Sequence, residues 1–140
     1  MHRILLHFAL FFPLLASAQS GGNTDLWKPQ PPSAVQGETG ERRIQPQAYQ
    51  TFALDLNTLH SRLEHAPMER TPAAENRAPL VEMPLPSGAI ARFSVWESPI
   101  MEKGLAERYP GIRTYAGRAL NDPTMTLRFD LTPQGFHAIL

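Results

Sequence analysis

The feature that most limits the possible folds is a clean alternation near the C-terminus. In "TMTLRFDL", residues 124–131, Met125, Leu127, Phe129 and Leu131 alternate with Thr124, Thr126, Arg128 and Asp130. A period of two is the strand period, so one face of this segment must be covered and the other wet. Turn residues flank it, Asn121-Asp122-Pro123 on one side and Thr132-Pro133-Gln134-Gly135 on the other. Turns this short connect antiparallel neighbours. "FHAIL" then starts another strand and runs to Leu140.

Upstream segments supply the rest of a sheet. "GIRTYAGRA" is a strand candidate, and "LVEMPLPSGAIARFSVWES" reads as two strands around a Pro86-Ser87-Gly88 turn. In the second of these, Ala91, Phe93 and Val95 point one way, while Ile90, Arg92, Ser94 and Trp96 point the other. Large groups on both sides imply cover on both sides. "AYQTFALD" is a first strand. Asp55 can cap a helix through "LNTLHSRLEHA", whose Leu56, Leu59, Leu63 and Ala66 form one apolar stripe. Pro67 stops that helix, and "MERTPAAENRAP" follows as a loop. A short helix fits between Pro99 and Pro110, with Leu105 and Tyr109 on a shared face. The expected class is α+β: a small, mostly antiparallel sheet with one clear helix and one short one.

Ahead of this module lie two other segments. "MHRILLHFALFFPLLASAQS" has a basic start at Arg3, an apolar run from Ile4 to Leu15, and small residues at Ala16 and Ala18. That is the layout of a secretory signal peptide spanning residues 1–18, and the run is too short for a membrane anchor. Residues 19–47, rich in Gly, Pro, Gln and Ser, read as a flexible leader that cannot bury enough surface to offset its ordering entropy. Its single large apolar group, Trp27, is either a partly exposed ring in a mobile tail or an anchor for a partner. The module then covers residues 48–140. Its last strand either closes the sheet or marks a chain cut from a longer reading frame. The product is expected to be secreted, periplasmic or extracellular, with no membrane association once the signal is removed. It has no cysteine, so no disulfide supports it there.

Charge excludes one class of partner. Thirteen basic side chains balance thirteen acidic ones, and Arg42-Arg43 is the single dibasic pair. Phosphate neutralisation needs a basic face, so nucleic acid is set aside.

The search for chemistry is short. His60 and His65 are too far apart to share a metal on one helix face. His137 has no second ligand near it in sequence. There is no H-E-x-x-H, G-x-S-x-G or phosphate-cradling loop. Ser94, Ser98 and Thr114 carry hydroxyls with no base beside them, and the carboxylates Glu97, Glu102, Asp122 and Asp130 form no spaced pair. Glu97 caps the next turn or pairs with Arg92 or Arg113. In "ESPIM", Pro99 supplies rigidity at a strand-to-helix corner, and Ile100 and Met101 are expected to plug the core. No residue is assigned as catalytic, cofactor-binding or metal-ligating in its own right.

Several stretches in order carry a resemblance. "LDLNTLHSRLEHAPMER", "MPLPSGAIARF", "FSVWESPIM" and "LAERYPGIRTYAGRALNDPTMTLRFDLTPQGFHAIL" together resemble the N-terminal region of secreted bacterial zinc metallopeptidases of the reprolysin-like class. The resemblance runs from about Phe52 to Leu140, and the extended zinc motif of the catalytic domain is not in this sequence. It implies a non-catalytic, prodomain-like module that assists folding of a metallopeptidase catalytic domain, masks it, or both, in cis or in trans. Zinc would belong to that domain and not to this chain. A masking side chain could take the open zinc position, and without cysteine it would be Glu97, Asp122, Asp130 or His137. The alternatives are a stand-alone secreted binding module, using Trp27, Trp96 and the last strand, and a hydrolase working through carboxylates.

Overall fold

The computed structural model describes residues 25–34 and 46–140. In chain order the elements among the described residues are β1 (Trp27–Gln30), β2 (Thr51–Leu54), α1 (Leu56–Leu63), α2 (Pro72–Asn76), β3 (Leu80–Pro84), β4 (Ile90–Glu97), α3 (Lys103–Arg108), β5 (Arg113–Ala119), β6 (Thr126–Thr132) and β7 (Gly135–Ile139), with a 3₁₀ turn at Pro32–Ala34. β3 to β7 form one five-stranded antiparallel sheet in sequential order, and β1 and β2 form a separate two-stranded ribbon. The class is α+β, as the alternation and the helix stripe imply.

Local chemistry accounts for most of these elements. Asp55 accepts a hydrogen bond from the Thr58 amide at 3.0 Å and so caps α1. Leu59 and Leu63 are fully buried, each contributing about 1.5–3 kcal/mol by removal from water. They join Val81, Met83, Phe93, Val95, Tyr115, Leu127, Phe129 and Leu131 in the core on the inner face of the sheet. α1 ends at Leu63, earlier than its stripe, because the chain turns to run beside β4: Glu97 donates its amide to the Pro67 carbonyl, and Glu69 donates to that of Glu97, both at 2.8 Å. Ala66 still packs on the core. Gly88 takes a φ of +85° in the β3–β4 turn, which favours glycine.

Gly117 is buried in the centre of β5 between Val95 and Leu127. A Cβ there would lie 2.9 Å from the Ser94 carbonyl oxygen and 3.1 Å from Val95 Cγ2. The missing side chain lets β4 and β5 approach.

Three expectations are corrected. The leader is not wholly outside the fold: β1 pairs antiparallel with β2, and Leu26 is fully buried in the core. Trp27 is neither a loose ring nor a reserved anchor. It packs on the core, donates Nε1–H to the Glu82 carbonyl at 2.6 Å and meets Phe136 edge-to-face at 5.7 Å. A buried leucine, a docked indole, pairing with β2 and the bond of Arg62 to Asp25 together hold a segment of otherwise polar composition. Second, the loop after Pro67 contains α2, started by Thr71, whose Oγ1 accepts from the Ala74 amide at 3.3 Å, with Pro72 at the first helical position. Third, Ile100 does not plug the core: it is 73% exposed. The signal segment 1–18 and most of the leader lie outside the described residues.

Candidate functional site

The strongest candidate is a shallow groove of about 240 Å³ on the outer face of β5, β6 and β7. Thr114, Arg128, Asp130 and His137 line it, and Ile100 and Ile139 flank it. Ile139 is 78% exposed, so two large apolar side chains stand in water here.

The β6–β7 turn builds the central pair. Pro133-Gln134 makes a tight connection; Gly135 adopts a φ of +131°; and Thr132 Oγ1 accepts from the Gln134 amide at 3.1 Å while donating to the Gly135 carbonyl at 3.2 Å. This sets Thr132 opposite Gly135, and therefore Asp130 opposite His137. His137 Nδ1 lies 3.4 Å from Asp130 Oδ1. The imidazole is well exposed and the carboxylate about one-third exposed. The sequence signal was present: a two-residue hairpin connection fixes which residues across it are partners.

The other two candidate ligands are already committed. Glu97 holds Arg113 through both carboxylate oxygens, and this contact raises the Arg113 guanidinium above its ordinary value. The Arg113 partnership is the second of the two local roles the sequence allowed for Glu97. Asp122 accepts from the Thr124 hydroxyl at 2.6 Å and from its amide at 3.0 Å, and these bonds hold its carboxyl below the usual range.

The "ESPIM" segment is a structural junction. Ser98 is buried; its hydroxyl donates to Glu69 Oε2, its amide donates to the Thr114 carbonyl, and its own carbonyl accepts from Thr114 Oγ1 at 2.7 Å. A hydroxyl enclosed in this way is not presented to a substrate. Ser94 and Trp96 line a second cleft, of about 610 Å³, with Ala74 and Glu75 of α2 and with Arg118. Trp96 Nε1 is enclosed there without a partner among the described residues. α2 and the segment before it thus give β4 its second covered side.

His60 and His65 are exposed on and just after α1 and join no cluster. Among the described residues no group of three or more His, Cys, Asp and Glu side chains could hold a metal ion. No helix among them is long and apolar enough to cross a membrane. No protein-family model, curated protein or solved structure matches the chain.

Proposed function

We propose that the chain is an exported, non-catalytic, prodomain-like module of a zinc metalloendopeptidase of the reprolysin-like class, which covers the catalytic domain, assists its folding, or does both. The observation that carries this reading is the character of the β7 face. β7 is the last strand of its sheet among the described residues, and an exposed strand edge readily accepts a further strand. Beside that edge stand Ile139 and Ile100, both strongly exposed, with His137 and Asp130 between them. Exposed apolar groups around a small polar centre suit a protein contact better than solvent.

The sequence resemblance supplies the partner, and the geometry suggests the masking group. Zinc-binding histidines commonly turn one ring nitrogen to a carboxylate, which orients the other toward the metal. His137 turns Nδ1 to Asp130, leaving Nε2 for the open position on the partner's zinc. Glu97 and Asp122 would have to break existing contacts to serve.

Titrating the full chain into a reprolysin-like catalytic domain during cleavage of a fluorogenic peptide tests masking. Adding it during refolding of the same domain tests folding assistance. The expected result is a saturable fall in rate, a raised refolding yield, or both. Neither effect, or peptide cleavage by the chain itself, would overturn the proposal.

A further inference from the structure

The outer face of the sheet carries a line of arginines that the sequence disperses. Arg92 lies on β4, Arg118 on β5 and Arg128 on β6. The registers set Arg118 opposite both Ser94 and Thr126. Arg92 and Arg128 are therefore each one diagonal step from Arg118, on opposite sides, and the three form a straight diagonal. Continued one strand further, the same line reaches His137, which faces Asp130. Diagonal neighbours across a sheet stand roughly 7–8 Å apart.

All three guanidinium groups are exposed, and none forms an ion pair or side-chain hydrogen bond among the described residues. Of the carboxylates around them three are occupied, and Glu75 of α2, which lines the same cleft as Arg118, forms no ion pair with it among the described residues. Glu82, opposite Arg92, holds Arg62; Asp122 holds Thr124; Asp130, two residues along from Arg128, faces His137. The line thus presents three guanidinium groups without an ion-pair partner among the described residues, at a regular spacing.

That spacing matches one kind of partner. Alternate side chains of an extended peptide recur every roughly 6.6–6.8 Å on one face. Arginine also binds carboxylates in a two-point geometry that lysine lacks. A nucleic acid fits less well. The outer positions of β3 to β7 carry one aromatic, Trp96, too few to stack the successive bases of a single strand. We propose that the Arg92–Arg118–Arg128 diagonal is a docking track for an extended acidic polypeptide segment with Asp or Glu at alternate positions. The proposal does not depend on the partner being a peptidase.

The test uses the full chain and three labelled probes: a short peptide of alternating Glu and Thr, its Gln–Thr counterpart, and a single-stranded oligonucleotide of equal charge. Fluorescence anisotropy at low salt should show the Glu–Thr peptide binding at least about tenfold tighter than the Gln–Thr peptide, with affinity falling as salt rises. Arg118→Gln and Arg118→Glu should weaken binding, the latter by about tenfold. Amide shifts of the unaltered chain should change along the outer positions of β4, β5 and β6, a readout that needs no variant to fold. Equal binding of the two peptides, tighter binding of the oligonucleotide, full affinity in a folded Arg118→Gln variant, or shifts confined to other surfaces would overturn the proposal.

Discussion

Glu97 and Arg113 are joined across β4 and β5 by a two-point ion pair, Nη2 to Oε2 and Nε to Oε1, the latter at 3.3 Å. The Arg113 guanidinium also lies 5.5 Å from the centre of the Tyr115 ring. The acid in the most distinctive motif of the chain is thereby a structural residue. Glu97→Gln should lower stability by about 1 kcal/mol in urea denaturation, because the pair is partly solvated. The same variant should leave masking of a metallopeptidase unchanged, whereas His137→Ala should weaken it.

Trp27 ties the ribbon to the sheet. Trp27→Phe keeps the ring against Phe136 and loses the bond to the Glu82 carbonyl, at a cost of about 1 kcal/mol. Trp27→Ala should cost more, about 2–3 kcal/mol, through lost burial. Thermal melting of the two variants gives the comparison. Equal stability of Trp27→Ala and the parent would place this segment outside the fold.

Acid should destabilise the chain through two short-range contacts. Hydrogen bonds, first from the Thr58 backbone amide, hold the Asp55 carboxyl below its ordinary 3.8, and bonds to Thr124 do the same for Asp122. A carboxylate depressed in the folded state contributes stability above its unfolded pKa and loses it as pH falls through the folded one. The loss should therefore set in as pH drops toward about 4 and continue below it. Asn caps helices about as well as Asp, so Asp55→Asn should keep neutral-pH stability while flattening the acid slope. Urea midpoints measured at neutral and acid pH test this.

Close strand approach at Gly117 should be intolerant of even one carbon. Gly117→Ala places its Cβ against backbone, which cannot swing aside as a side-chain tip can. Stability should fall by about 1–3 kcal/mol, read from the shift in urea midpoint at constant slope.

The parts of this fold that sequence makes legible are those with a local cause. Leu127, Phe129 and Leu131 alternate with polar neighbours, and all three are buried. Asp55 precedes its stripe and caps it. β1 was hidden because Pro29, Pro31 and Pro32 and a polar composition mark a tail, while its position depends on Leu26, Trp27 and the bond of Arg62 to Asp25, all contacts of long range. α2 was hidden in a polar run, although Thr71-Pro72 is a start signal. At the candidate site, Asp130 and His137 were separate suspects until the β6–β7 register made them neighbours. The arginine diagonal has no local signature, since it exists only once three strands are aligned.

The most direct test of the central claim is amide hydrogen exchange of the full chain, with and without a reprolysin-like catalytic domain. If β7 is the seat, exchange across Gly135–Ile139 should slow on mixing while α1, on the far side of the core, stays unchanged. Unaltered exchange in β7 under conditions where the two proteins form a complex would contradict the account.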